Sequence, residues 1–82
     1  MLSFLHVRKK VDASFLSVFG QNLKNIRESK NITQAQLAID CECDVSVISR
    51  IERGVVNTSL SNLKLIANAL EIDIRELFDF SY

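Results

Sequence analysis

The side chains that most readily do covalent or metal chemistry are few in these 82 residues: one histidine, His6, and two cysteines, Cys41 and Cys43. Two cysteines two positions apart are too close to staple a loop of consequence, and no second pair completes a four-ligand zinc site. They are read as small buried hydrophobes. No serine, cysteine or carboxylate constellation surrounds His6, and no nucleophile with its base, metal cluster or phosphate-cradling loop can be assembled. The chain is therefore read as no enzyme, with no metal and no cofactor. What remains is hydrogen-bonding chemistry, concentrated in "TQAQLAIDCECDVSVISRIERG", Thr33 to Gly54, where Ser46, Ser49, Arg50 and Arg53 carry donors.

These groups need helices to position them. Thr33 followed three residues later by Gln36 is a capping box, and Leu37, Ala38 and Cys41 continue an apolar face, so a short helix is predicted over 34–41. Asp44 caps the next, over 45–53, with Val47 or Ile48 and Ile51 inward and Gly54 as its stop. Upstream, Phe19, Leu23, Ile26 and the stem of Lys30 share a stripe, with Ser17 as N-cap and Asn31 as left-handed C-cap, giving a helix over 17–30. Downstream, Ser59 caps a helix over 60–70 in which Leu60, Leu63, Ile66, Ala67 and Leu70 keep a 3.6 period. Asp73 and Glu76 form a second capping box, and Ile74, Leu77 and Phe78 make a last helix over 74–79.

The composition agrees with an all-α domain. A chain of 82 residues with 48% apolar content supports one core, and it has two glycines and no proline to punctuate a many-stranded sheet. Residues 1–16 follow neither period; Phe4, Leu5, Val7 and Val11 are left as an N-terminal arm, part strand at most, ahead of a domain over 17–82. Ten basic residues balance ten acidic ones, so net charge alone gives no case for nucleic acid. The front is basic and the tail acidic. The opening "MLSFLHVRKK" has the reverse order of a signal peptide and no run is long enough to span a membrane, so the expected location is the cytoplasm.

Two short helices joined by a turn of three or four residues, the second capped and half polar, have the physical form of a helix-turn-helix. Leu37 inward, Ala38 small enough for close approach, and Ile48 and Ile51 branched and apolar meet its spacing. With "LKNIRESKNITQAQLA", "VISRIERG", "NTSL" and "IANALEIDIRELF" in register, residues 18–79 resemble the lambda-repressor-like, Xre-type family of helix-turn-helix domains. The "IERG..N.SL" run and the overall length are also similar to the controller proteins of restriction–modification systems. The resemblance implies a compact five-helix domain that docks its third helix in the major groove and binds a palindromic operator in double-stranded DNA as a homodimer.

Carried over by position, the resemblance places Gln34, Val45, Ser46, Ser49 and Arg50 where the family touches bases or nearby phosphates. Arg50 suits guanine O6 and N7, the serines can donate or accept, and Val45 suits a thymine methyl. Thr33, Arg53 and Asn57 fall where the family contacts phosphates, helped by the amides at Gln34. Arg27 and Glu52 match a structural ion pair between the first and third helices, whose halves should not be removed singly, at a cost of ~3 kcal/mol if well buried. The bland alternatives are that Arg50 and Arg53 are merely solvated, that Val45 packs on a neighbour and that Asn57 only turns the chain.

The chain departs from the family where Glu42 and Glu71 replace frequent glycines, which requires positive φ of a non-glycine residue. Asp40, Glu42, Asp44 and Glu52 also outnumber Arg50 and Arg53 in the reading unit. Phosphate attraction must then come from Lys24, Lys30 and the arm's Arg8, Lys9 and Lys10, and from dimerisation. Leu77 and Phe78 are assigned to the monomer core, and Ile74, Phe80 and Tyr82 to the dimer interface. The expected function is a sequence-specific transcriptional regulator. The alternative is a helix-turn-helix module that binds a protein partner through its acidic surface, as the antitoxin of a toxin–antitoxin pair would.

Overall fold

Asp12, not Ser17, opens the first helix: its side chain accepts the Phe15 amide at 2.9 Å, and the helix runs Ala13–Ser29 (α1). The computed structural model describes residues 11–82. The arm's Phe4, Leu5, Val7, Arg8, Lys9 and Lys10, together with His6, lie outside them. Residues 13–16, expected in the arm, are helical because Phe15 stands four residues before Phe19 and eight before Leu23. That extends the apolar stripe backwards by one turn. At the other end Lys30 is exposed, and Asn31 takes the left-handed conformation expected of it, at φ 58°.

The next three helices follow their caps. Thr33 Oγ1 accepts the Gln36 amide at 3.0 Å and starts α2, Gln34–Asp40. Asp44 starts α3, Val45–Arg53, which Gly54 ends at φ 73°. Ser59 Oγ accepts the Asn62 amide at 3.1 Å and starts α4, Leu60–Ala69. Glu42 and Glu71 both adopt positive φ, 55° and 57°, as expected where they replace glycine.

The fifth element is not an α-helix. Ile74–Phe78 is a 3-10 turn held by the full capping box of Asp73 and Glu76. The amides of Glu76 and Asp79 bond three residues back, to Asp73 and Glu76, and Asn22 Nδ2 of α1 donates to the carbonyls of Glu76 and Leu77 at 3.1 and 2.9 Å. The expected five helices are thus four α-helices and a 3-10 turn, all-α among the described residues.

One core joins them. Phe19 and Leu23 from α1, Leu37 and Ala38 from α2, Ile48 and Ile51 from α3, Leu63, Ile66 and Ala67 from α4, then Leu70 and Leu77, are buried together. Phe78, assigned to this core, is 41% exposed and lays only one side of its ring near Phe19, centroids 5.1 Å apart. Ile74 and Phe80 are half-buried against the core, and Phe80 reaches both Phe15 and Phe19. Tyr82 is 67% exposed, yet its ring meets Phe15 edge-on at 5.3 Å. The nearby Tyr82 hydroxyl, with the Phe15 amide, lowers the Asp12 carboxyl from its ordinary value.

Gly20 decides how close α1 and α3 come. A Cβ there would fall on the carbonyl oxygens of Ile51 and Glu52, so the bare backbone of α1 lies against the last turn of α3. No helix of the described residues is long and apolar enough to cross a membrane.

Candidate nucleic-acid interface

The nine residues of α3 divide cleanly by helical angle. Ile48, Ile51 and Glu52 are buried, whereas Val45, Arg50 and Arg53 are exposed and Ser46 and Ser49 half-exposed. At 100° per residue, 45, 46, 49, 50 and 53 fall on one continuous side and 47, 48, 51 and 52 on the other. All five α3 residues assigned to DNA therefore share the outward face. Val45 keeps 43% of its surface in solvent.

The inward edge is held by a polar network. Arg27 Nε and Nη2 donate to Glu52 Oε2 and Oε1 at 2.6 and 3.0 Å, with side-chain exposures of 8% and 2%. The third donor, Nη1, reaches the Ile32 carbonyl at 2.8 Å, in the loop that leads to α2. The bidentate bond with Glu52 pushes the Arg27 guanidinium above even its ordinary range, against the opposing effect of burial. Every buried side-chain polar atom among the described residues is satisfied, so the pair sits in the core at no cost in orphaned donors.

Gln34 belongs to the same network. Its Nε2 donates to Glu52 Oε1 at 2.8 Å, which engages one of its two amide hydrogens, and the residue is half-buried. Sequence spacing placed Gln34 at the start of α2 correctly, but the bond to Glu52 spans 18 positions and has no local signature. Thr33 is exposed with its oxygen occupied as a cap, which leaves its hydroxyl hydrogen to donate outward. Asn57 is exposed in the loop between α3 and α4 and lines an apolar groove of about 180 Å3 with Phe15, Phe19, Leu60 and Phe78.

The acidity of the unit is smaller than its composition suggests. Glu52 is neutralised by Arg27, leaving Asp40, Glu42 and Asp44 exposed around the turn and Arg50 and Arg53 exposed on α3. Two residues that sequence reasoning passed over prove central to positioning: Gly20, which permits the approach of α1 to α3, and Asn22, which fixes the C-terminal turn to α1. A glycine in mid-helix with no turn to make was the available signal for the first. Cys41 and Cys43 are half-buried free thiols beside α3.

Comparison with known proteins agrees with this geometry. The helix-turn-helix family model HTH_3 matches residues 23–77. Control protein C.BamHI of Bacillus amyloliquefaciens is 43% identical over 65 residues, covering 78% of this chain and 80% of that protein. Control protein C.MunI of a Mycoplasma species is 39% identical over 61 residues, covering 73% and 82%. Among solved structures, the restriction-modification controller protein C.AhdI from Aeromonas hydrophila superposes with a TM-score of 0.78 at 41% identity, covering 80% of this chain and 96% of that one. With its capped α2 and α3, its buried Arg27–Glu52 pair and its matched span, this chain belongs to the lambda-repressor-like, Xre-type helix-turn-helix family.

Proposed function

We propose that the protein is a sequence-specific DNA-binding transcriptional regulator that inserts α3 into the major groove of a palindromic operator as a homodimer. One observation carries this reading: the outward side of α3 presents Val45, Ser46, Ser49, Arg50 and Arg53 while its inward side is locked by Ile48, Ile51 and the Arg27–Glu52 pair. A rigid helix with a free polar face is what base readout requires. Arg50 reads guanine, the two serines read neighbouring edges, and Val45 packs on a thymine methyl. Thr33, Arg53 and Asn57 set register on phosphates, and Gln34 acts from the edge of the face through the oxygen that Glu52 leaves free.

Similarity to control proteins on both sequence and structure supports a narrower role, control of a restriction–modification system from the cytoplasm. The homodimer forms through the C-terminal face. Tyr82 and the exposed remainders of Phe80 and Ile74 contribute, and Phe78 and Leu60, 41% and 76% exposed on the rim of the apolar groove, enlarge the surface. Dimerisation doubles every phosphate contact, which offsets the neutral net charge of the single chain.

Footprinting over the promoters flanking the protein's own gene tests the proposal. Protection of two symmetric half-sites about one helical turn apart, weakening steeply with salt, is the expected result. Absence of any salt-dependent binding would contradict it.

A further inference from the structure

We propose that Cys41 and Cys43 together form a two-thiol clamp for a trivalent thiophilic metalloid of the arsenical class, seated at the turn between α2 and α3. Both side chains line one cavity of about 110 Å3, walled by Val47, Ile48, Leu65 and Ile66 with Asn62 at its side. Glu42 between them is left-handed, and its amide and that of Cys43 donate back to the carbonyls of Ile39 and Ala38, both at 3.0 Å. The turn so closed brings residues 41 and 43 to the same cavity rather than to opposite sides.

The ligand class follows from what the site has and lacks. Among the described residues no group of three or more histidine, cysteine or acidic side chains is placed to hold a metal ion, so zinc and harder cations find too few donors. Burial pushes both thiols up from their ordinary range, so any ligand must displace their protons on binding. An arsenical of the form R–As=O takes both at once. Two As–S bonds form, the arsenic–oxygen bond is lost, and the two thiol protons leave with that oxygen as water. Arsenic stays trivalent and nothing is oxidised or reduced.

The resulting ring spans the turn whose φ at Glu42 sets α3 against α2. Resting on the DNA-reading role proposed above, loading the clamp releases operator DNA.

Intact-mass measurement of the folded protein with phenylarsine oxide is the test. The expected product is one adduct per chain at the mass of the reagent less one water, retained in excess glutathione and removed by 2,3-dimercaptopropanol. Cys41→Ser and Cys43→Ser should instead give an adduct without loss of water, stripped by glutathione. A wild-type adduct stripped by glutathione, or none without denaturant, overturns the clamp, and this readout needs no folded variant. Titration of operator DNA with loaded and unloaded wild type then tests control: at least tenfold weaker binding on loading supports it, and equal affinity overturns that part alone. If unloaded protein binds no DNA, the failure belongs to the regulator reading and not to the clamp.

Discussion

Gln34 Nε2 donates to Glu52 Oε1 at 2.8 Å, so the residue that opens α2 is held by the residue that closes the inward face of α3. Through Glu52 the bond continues to Arg27 in α1 and from Arg27 to the Ile32 carbonyl. Three helices and the loop between two of them thus share one network, and the orientation of the outward face of α3 depends on all of them.

Arg27→Met should be severely destabilising, by about 3 to 5 kcal/mol, because it leaves the Glu52 carboxylate in the core without its partner. Pairing it with Glu52→Met should recover much of the loss, since two apolar side chains leave no buried charge. Urea denaturation of the single and double variants measures both quantities, and a double variant less stable than either single one would refute the account.

Gln34→Ala removes one hydrogen bond to a charged acceptor and should cost about 1.5 kcal/mol, the low end for such bonds because the residue is half-buried. Gln34→Glu should cost more, since it sets a second carboxylate against Glu52. Thermal melts at neutral pH distinguish the two, and equal melting temperatures would show that the bond carries no weight in solution.

Gly20→Ala places a methyl on the carbonyl oxygens of Ile51 and Glu52 and should destabilise by about 1 to 3 kcal/mol, against the gain a mid-helix alanine ordinarily brings. Circular dichroism on heating should show the loss. A melting temperature above wild type would mean that α1 and α3 stand further apart than described.

Asp73 gives a pH prediction. Its bonds to the Arg75 side chain and amide, with the guanidinium charge, lower its carboxyl from 3.8 to about 2. Above about pH 5 the group is ionised folded and unfolded, and its contribution is complete. As pH falls from about 5 the unfolded chain takes up the proton first, so stability is lost progressively as pH drops through the folded value and the contribution is gone below about 1. Asp73→Asn, which keeps a capping side chain, should show a smaller drop in melting temperature between pH 4 and pH 2. Identical drops would assign acid sensitivity elsewhere.

The parts legible in the sequence were those with local causes. Thr33, Asp44, Ser59 and Asp73 each begin an element within hydrogen-bonding reach of their own amides, so α2 to α4 fall within a residue of expectation and the outward face of α3 follows from spacing. Glu42 and Glu71 were legible as left-handed because they stand where the resembled family frequently has glycine. Asp12 was missed because the residues before it show no period, although Phe15, Phe19 and Leu23 carry the stripe back to it. The rest depended on contacts between distant segments: Gly20 on the α3 backbone, Asn22 on the last turn and Gln34 on Glu52. The docking of the 3-10 turn at Ile74–Phe78 belongs with them, since Asn22 of α1 donates to its Glu76 and Leu77 carbonyls.

Arg50 bears the central claim most directly, because it is exposed on the outward face of α3 and outside the Arg27–Glu52 network. A fluorescence titration of Arg50→Ala against the protein's own operator, with base substitutions in each half-site, measures its role without disturbing the fold. Loss of a bidentate contact to guanine should raise Kd about tenfold or more and flatten the preference at one base pair per half-site. Full affinity with unchanged sequence preference would contradict the assignment of that face to DNA.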